Sequence, residues 1–215
     1  MKRWQLRLKR MIDVAVSLPV TLFVLPLLYA VLAIPIKLSS SGPVLFRQRR
    51  TGLEGREFVC YKFRSMCVNA EADTVAAASD DVRITKIGNL LRFTYLDEFP
   101  QFFNVLRGDM SLMGPRPHMV YHTKKYEDII PGYDYRLLMK PGLTGASQAI
   151  GLRGTAATDA DMARRVRVDS WYVRNWSLCL DVKIFMLTVK VFLDSLSREL
   201  SSYILKRLNT TNKNL

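Results

Sequence analysis

Residues 14–36, VAVSLPVTLFVLPLLYAVLAIPI, contain no charged side chain, and no other feature constrains the chain as strongly. As a helix the run extends roughly 34 Å, enough for the hydrocarbon core of a bilayer. A cleaved signal peptide matches poorly, because the apolar run is too long and no A-x-A site follows it. A straight transmembrane anchor conflicts with two features. Pro26 stands in the middle of the run, where it removes a backbone hydrogen bond and bends the helix. Both flanks are basic, with Lys2, Arg3, Arg7, Lys9 and Arg10 before the run and Lys37, Arg47, Arg49 and Arg50 after it. The positive-inside bias holds both ends in the cytoplasm. The run is therefore expected to enter the membrane, bend at Pro26 and return, with other protein groups covering the freed carbonyls.

The whole chain carries 32 Lys and Arg against 19 Asp and Glu, a net charge of +13. Such a balance suits an anionic partner: nucleic acid, an acidic lipid surface or a phosphorylated substrate. No recognised nucleic-acid motif is present, so anionic membrane lipids and phosphates are the expected partners. Cys60, Cys67 and Cys179 lack CxxC spacing and read as reduced thiols. His118 and His122, four apart in HMVYH, could share a helix face as metal ligands do, but no Glu-rich or Cys-rich partner set accompanies them.

Beyond the apolar run, residues 43–63 alternate apolar and basic side chains around the turn signal TGLEG, which predicts a β-hairpin. Residues 68–82 are small and polar and read as a loop or weak helix. The spacing of 84–93 predicts a helix with Ile87, Leu90 and Leu91 on one face. Segments 107–118 and 140–148 are rich in Gly and Pro and read as loops. Residues 178–205 carry Phe185, Val189, Phe192, Leu196 and Leu200 as one apolar stripe interspersed with Lys183, Lys190 and Arg198. That pattern fits an interfacial helix on anionic lipid or a core helix. These readings divide the chain into a basic N-terminus with the membrane helix (1–40), a catalytic domain (41–207) and a polar, disordered tail (208–215). The fold class is α+β and mostly helical: a monotopic protein with a re-entrant membrane helix hairpin, a small β-hairpin and interfacial amphipathic helices.

In TYLDEFPQF, residues 94–102, Asp97 and Glu98 stand side by side among bulky apolar residues. Pro100 is accommodated only in the first turn of a helix, so a helix should start near Leu96 to Phe99. Its free N–H groups and dipole then favour the two carboxylates. Thr94 and Asp97 also fit a capping box, which leaves a purely structural role open. Chemically, a carboxylate beside basic loops suits attack on phosphorus, with Mg²⁺ and arginines neutralising the phosphate oxygens. The pair fits glycoside hydrolysis poorly, since that reaction needs two carboxylates facing each other across a sugar.

The segment LDEFPQFFNVLRGDMSLMGPRP (96–117) resembles the signature of the bacterial sugar transferase family, the monotopic polyprenyl-phosphate phosphoglycosyl transferases. The similarity continues through 9–27, GPVLFRQRRTG (42–52), YKFRSM (61–66), RITKIGNLLR (83–92), KPGLTG (140–145) and 169–189, in order along nearly the whole chain. The resemblance implies transfer of a sugar 1-phosphate from a UDP-sugar to undecaprenyl phosphate at the cytoplasmic face of the bacterial inner membrane, in the first membrane step of a surface glycan such as exopolysaccharide. A scaffold of a glycan assembly complex is the alternative. By the resemblance, Asp97 forms a covalent phosphosugar intermediate and UMP departs, with Asp97 and Glu98 as catalytic residues and Mg²⁺ ligands. Arg116 in GPRP, Lys62 and Arg64 in YKFRSM, and Arg153 are the implied phosphate-binding residues, and Pro26 marks the membrane bend. The sugar and the oligomeric state, dimer included, stay open. The chain departs from the common pattern at Leu25, where many members have Ser before the proline, at Ala146 and Ser147 in place of a Trp-bearing sequence, and at Tyr95 in place of a small hydroxyl residue. Arg153 stands one place beyond the family's arginine.

Overall fold

The computed structural model describes residues 2–69, 72–75, 81–152, 154, 156 and 158–211, with side chains described up to residue 197. It is mostly helical. Helix α1 (Arg3–Pro19) leads through a π-helical turn at Val20–Val24 into α2 (Leu25–Ser39). The π turn has a local cause: Pro26 has no N–H to give, and its ring crowds the carbonyl four residues back. Widening the preceding turn relieves that crowding, so Leu25 N–H bonds to Val20 O instead. The helical backbone thus passes through the proline without interruption. Leu22, Phe23, Leu27, Val31, Ile34 and Leu38 along it are exposed, an apolar surface of the kind that soluble domains do not leave in water.

Both halves of this unit are tied to the rest of the protein. From α1, Lys9 Nζ pairs with Asp181 at 2.5 Å, and Arg10 donates to the carbonyls of Val105 and Leu106 at 2.6 and 2.7 Å. Asp13 accepts from Ser111 Oγ and from the Leu112 N–H. From α2, Leu32 and Ile36 bury against Val44, Phe63 and Leu91.

The expected hairpin is present as β1 (Leu45–Thr51) and β2 (Glu57–Phe63), antiparallel and joined by a turn at Leu53–Gly55. Helix α3 (Lys86–Phe93) begins where Thr85 accepts the Gly88 N–H. Leu91 on α3 is fully buried and Ile87 half-buried, but Leu90, predicted on the same face, is exposed. After a single turn at Leu96–Glu98 comes α4 (Gln101–Arg107), with Pro100 as its N-cap.

The two Gly-rich segments read as loops instead pair as a short parallel sheet, β3 (Ser111–Met113) with β4 (Gly142–Thr144). Their glycines make the pairing possible. A Cβ on Gly114 would meet Lys140 O at 2.3 Å, and one on Gly145 would meet Gly114 O at 1.9 Å. Strand length of three residues hid this sheet from any periodicity argument.

Helices α5 (Val120–Glu127), α6 (Ala146–Ala149), α7 (Asp159–Arg174) and α8 (Leu178–Thr211) complete the fold. Met139, Tyr172, Val173, Trp176 and Ile184 form a core between α7 and α8, while Tyr126, Tyr133, Met162 and Val166 form another between α5 and α7. The stripe on α8 is exposed at Phe185, Val189 and Leu196, which fits a surface helix rather than a core one; the side chain of Leu200 lies outside the described ones. The helix continues to Thr211, so residues 209–211 are helical rather than irregular, and residues 212–215 lie outside the description. Much of the predicted loop at 68–82 is also outside it.

Candidate active site

The β-hairpin sets the floor of a cavity of about 1150 Å³. Side chains alternate across a sheet, and the register pairs Gln48 with Cys60 and Phe46 with Lys62. One face therefore carries Gln48, Arg50, Cys60, Lys62 and Arg64. Helix α4 is fixed against this hairpin by Asn104, which is fully buried. Its Oδ1 accepts the Tyr61 N–H at 3.1 Å, and its Nδ2 donates to Val59 O at 2.7 Å. That clasp determines where the turn preceding α4 meets β2.

The turn itself holds Asp97 and Glu98. Tyr95 adopts φ +57°, a left-handed conformation uncommon outside glycine, and so redirects the chain sharply after α3. The capping box expected of Thr94 and Asp97 is not formed. Thr94 Oγ1 donates backwards to Leu90 O at 2.8 Å and closes α3. The carboxylates are one turn ahead of α4 rather than within its first turn, and Leu96 and Phe99 pack into the cluster beside α2.

The two acids have unlike surroundings. Glu98 Oε1 accepts from Lys62 Nζ at 2.5 Å and from Arg116 at 3.1 Å. Burial pushes Glu98 up, but Lys62 and Arg116 outweigh it and hold the carboxyl well below the usual range. Asp97 is 7% exposed, and no described group hydrogen-bonds its carboxylate. Burial raises it to about 6, aided by the Glu98 charge and opposed by Lys62, Arg92 and Arg116. One acid is thus held ionised and engaged, while its neighbour is unengaged and pushed up to about 6. A divalent metal fits the pair: Mg²⁺ takes one or two protein carboxylates and completes its shell with water and phosphate oxygens. Asp97 and Glu98 Oε2, neither engaged with a described group, would supply the hard oxygen donors.

Lys62 and Arg116 thus converge with Asp97 and Glu98 as the sequence suggested. Arg64 does not join them. Its terminal nitrogens donate to the carbonyls of Ser41, Ile36 and Ser40, closing the end of α2. Gly42, with φ +123°, leaves room for that guanidinium, since a Cβ there would lie 2.2 Å from it. Arg64 anchors the end of α2 rather than presenting its fork to a phosphate. Arg153 lies outside the described residues. The two histidines do not share a helix: His118 precedes α5 and meets Tyr133 Oη at 2.7 Å, whereas His122 lies within α5.

Sequence reasoning assigned no role at this cavity to Gln48, Arg50, Arg92 or Arg165, and it raised His118 only as a metal ligand. For Arg50 the signal was present, since it alternates in phase with Lys62 across the hairpin. For Arg165 there was none, because α7 reaches the cavity only through tertiary packing. Behind the site, Arg136 pairs with Asp169 at 2.9 Å, both almost fully buried, and donates to Arg116 O.

A protein-family model described as bacterial sugar transferase matches residues 4–195. A UDP-glucose:undecaprenyl-phosphate glucose-1-phosphate transferase of Klebsiella pneumoniae is 47% identical over 182 residues, covering 84% of this chain and 39% of that protein. A UDP-N-acetylgalactosamine-undecaprenyl-phosphate N-acetylgalactosaminephosphotransferase of Aeromonas hydrophila is 42% identical, covering 86% of this chain and 44% of the relative. The exopolysaccharide production protein PSS of Rhizobium leguminosarum bv. phaseoli is 44% identical, covering 85% and 93%. The chain thus spans less than half the length of the first two relatives and most of the third.

Proposed function

Because the chain belongs to the bacterial sugar transferase family, we propose that it moves a sugar 1-phosphate from a UDP-sugar to undecaprenyl phosphate by double displacement on Asp97. The observation that carries this reading is the contrast within the pair: a buried, unengaged Asp97 beside a Glu98 already neutralised by Lys62 and Arg116. An Asp97 oxygen attacks the sugar-linked phosphorus, and the bond from that phosphorus to the bridging oxygen breaks. UMP leaves with the electron pair, and the sugar phosphate stays on Asp97. A phosphate oxygen of the lipid then attacks the same phosphorus, the bond to Asp97 breaks, and the carboxylate is restored. The product is a sugar joined to the lipid through a diphosphate.

Lys62 and Arg116 offset the repulsion between the attacking carboxylate and the phosphate oxygens. Glu98 keeps both cations in place, and its second oxygen, with Asp97, would hold Mg²⁺. Such an ion supplies charge neutralisation of the diphosphate. The setting suits a lipid acceptor. Both halves of the apolar α1–α2 unit are anchored to one body, and the basic flanks favour the cytoplasmic side of the inner membrane. A re-entrant helix bent at the π turn beside Pro26 satisfies both conditions, whereas a crossing would carry one flank away. The exposed face of α8 and the basic side chains support contact with anionic lipid headgroups at the same level.

The test is UMP release by the full chain in detergent with Mg²⁺, undecaprenyl phosphate and UDP-glucose, UDP-galactose or UDP-N-acetylgalactosamine in turn. Sustained, lipid-dependent UMP from one donor is expected, and EDTA should stop it. A folded protein that yields no UMP from any of them contradicts the reading.

A further inference from the structure

Three guanidiniums line the cavity wall around the GPRPH segment: Arg50, Arg116 and Arg165. Arg116 has Glu98 as its counter-ion. The other two form no ion pair among the described residues, although the Asp169 and Asp161 charges act on Arg165 and those of Glu98 and Asp73 on Arg50. Arg50 donates to Gln48 Oε1 and to Pro117 O. Arg165, only 6% exposed, makes one hydrogen bond among the described residues, to Gly154 O at 3.1 Å, and its Nε is buried with no partner among them. Next to them His118 is 4% exposed. Its Nδ1 is engaged with Tyr133, while Nε2 has no partner among the described residues. Buried charge without a directly paired anion is costly, and buried polar atoms without partners are uncommon. Here both features occur together on the wall of one cavity.

The segment that joins them is rigid. Arg116 O accepts from Arg136 at 2.5 Å, Pro117 O from Arg50 at 2.6 Å and His118 O from the Thr51 N–H at 3.0 Å. Three consecutive carbonyls are therefore pinned, and Arg116 and His118 are held in a set relation to Arg50. Arg116 is the common neighbour. It touches Glu98 and feels the charges of both Arg50 and Arg165.

We propose that Arg165, with His118 and Arg50 beside it, forms a second phosphate subsite, which holds the nucleotide phosphate of the donor as it departs in UMP. The inference rests on the proposed reaction and adds residues to it. The donor's two phosphates share one bridging oxygen, so a pair of adjoining anion sites is required. Lys62 and Arg116 stand at the phosphorus that Asp97 attacks. As the bridging bond breaks, its electron pair moves onto the nucleotide phosphate, and the added negative charge develops there. A planar guanidinium with free N–H groups is suited to receive it. His118 stays neutral in this setting, because burial and the nearby Arg136, Arg165 and Arg50 disfavour its protonation. Tyr133 Oη stands closer to Nδ1, at 2.7 Å, than to its other acceptor, Thr123 Oγ1, at 3.3 Å; with its proton given to Nδ1, the imidazole proton is on Nε2, an unused donor for a phosphate oxygen.

Inhibition constants of UMP and uridine for the full chain in detergent isolate the contribution of the phosphate. Wild-type protein is expected to prefer UMP. In Arg165→Gln the preference should shrink about 10- to 100-fold, the value of charge-assisted hydrogen bonds, with uridine binding unchanged. A merely structural role would weaken both ligands alike. His118→Asn keeps the bond to Tyr133 and removes only Nε2. It should reduce the preference several-fold and covers the case in which Arg165→Gln does not fold. An unchanged preference in folded Arg165→Gln overturns the subsite, as does a rise confined to the KM for polyprenyl phosphate, which would assign Arg165 to the acceptor. Wild-type protein that neither prefers UMP nor releases it from any UDP-sugar would instead reject the underlying reaction.

Discussion

Lys62 Nζ and Glu98 Oε1 stand 2.5 Å apart across the gap between the β-hairpin and the turn before α4. Arg116 reaches the same oxygen. The contact neutralises one of two adjacent carboxylates and leaves the other, Asp97, unengaged. It also makes Lys62 the strongest of the cations that favour ionised Asp97.

The rate of UMP release in a single turnover should therefore depend on Asp97 ionisation. Burial raises this carboxyl to about 6, so the protonated, inactive form accumulates as pH falls. With Mg²⁺ on the carboxylate the limb lies at or below about 6, and the rate should drop about tenfold per pH unit beneath it and level off above about 7. In Lys62→Met a favourable charge is lost, Asp97 titrates at higher pH, and the acid limb should move upward. Single-turnover rates between pH 5 and 8 check the direction; a limb that moves down contradicts it.

Arg116→Lys keeps the positive charge and loses the planar fork. Turnover should fall about 10- to 100-fold with little change in thermal stability, because one ammonium cannot serve Glu98 and a phosphate at once. Steady-state rates beside a melting curve separate these effects, and a rate close to wild type removes Arg116 from the site.

Gly114→Ala tests the short parallel sheet. The added methyl group would overlap the backbone of Lys140 and Gly142, and backbone cannot yield as a flexible side chain can. A loss of about 3 kcal/mol or more is expected, read as a lower melting temperature. An unaffected melting temperature would show that the β3–β4 contact is looser than described.

The parts of this fold that local chemistry controls were legible in the sequence. Alternation gave the hairpin, the proline gave the site of helical irregularity, and the greasy setting of Asp97 and Glu98 marked the pair. What long-range contacts control was not. Arg64 resembles Lys62 in sequence, two residues away and on the same strand face, yet the end of α2 claims its guanidinium. Thr94 fits a capping pattern but serves the helix behind it, because Tyr95 turns the chain between them. The Gly-rich segments read as loops because three-residue strands carry no period; their glycines are explained only by the carbonyls that approach them. Arg165 was invisible because its neighbours, Arg116 and His118, come from a segment nearly fifty residues earlier.

Membrane topology has its own readout. Ile12 on α1 and Leu38 on α2 are both exposed. Cysteines placed there, in intact inner-membrane preparations, should both react with an impermeant thiol reagent added from the cytoplasmic side and with none added from the other. Labelling from opposite sides would establish a crossing helix instead of a re-entrant one.

The central claim is a covalent bond between Asp97 and the sugar phosphate. The most direct measurement is the intact mass of the protein after incubation with Mg²⁺ and the active UDP-sugar, with no lipid acceptor present. The account predicts one added sugar phosphate per chain, located on the peptide that contains Asp97, accompanied by one equivalent of UMP and absent in Asp97→Asn. Adding undecaprenyl phosphate should return the mass to its starting value. Release of UMP with no change in mass, or an adduct that persists in Asp97→Asn, would contradict it.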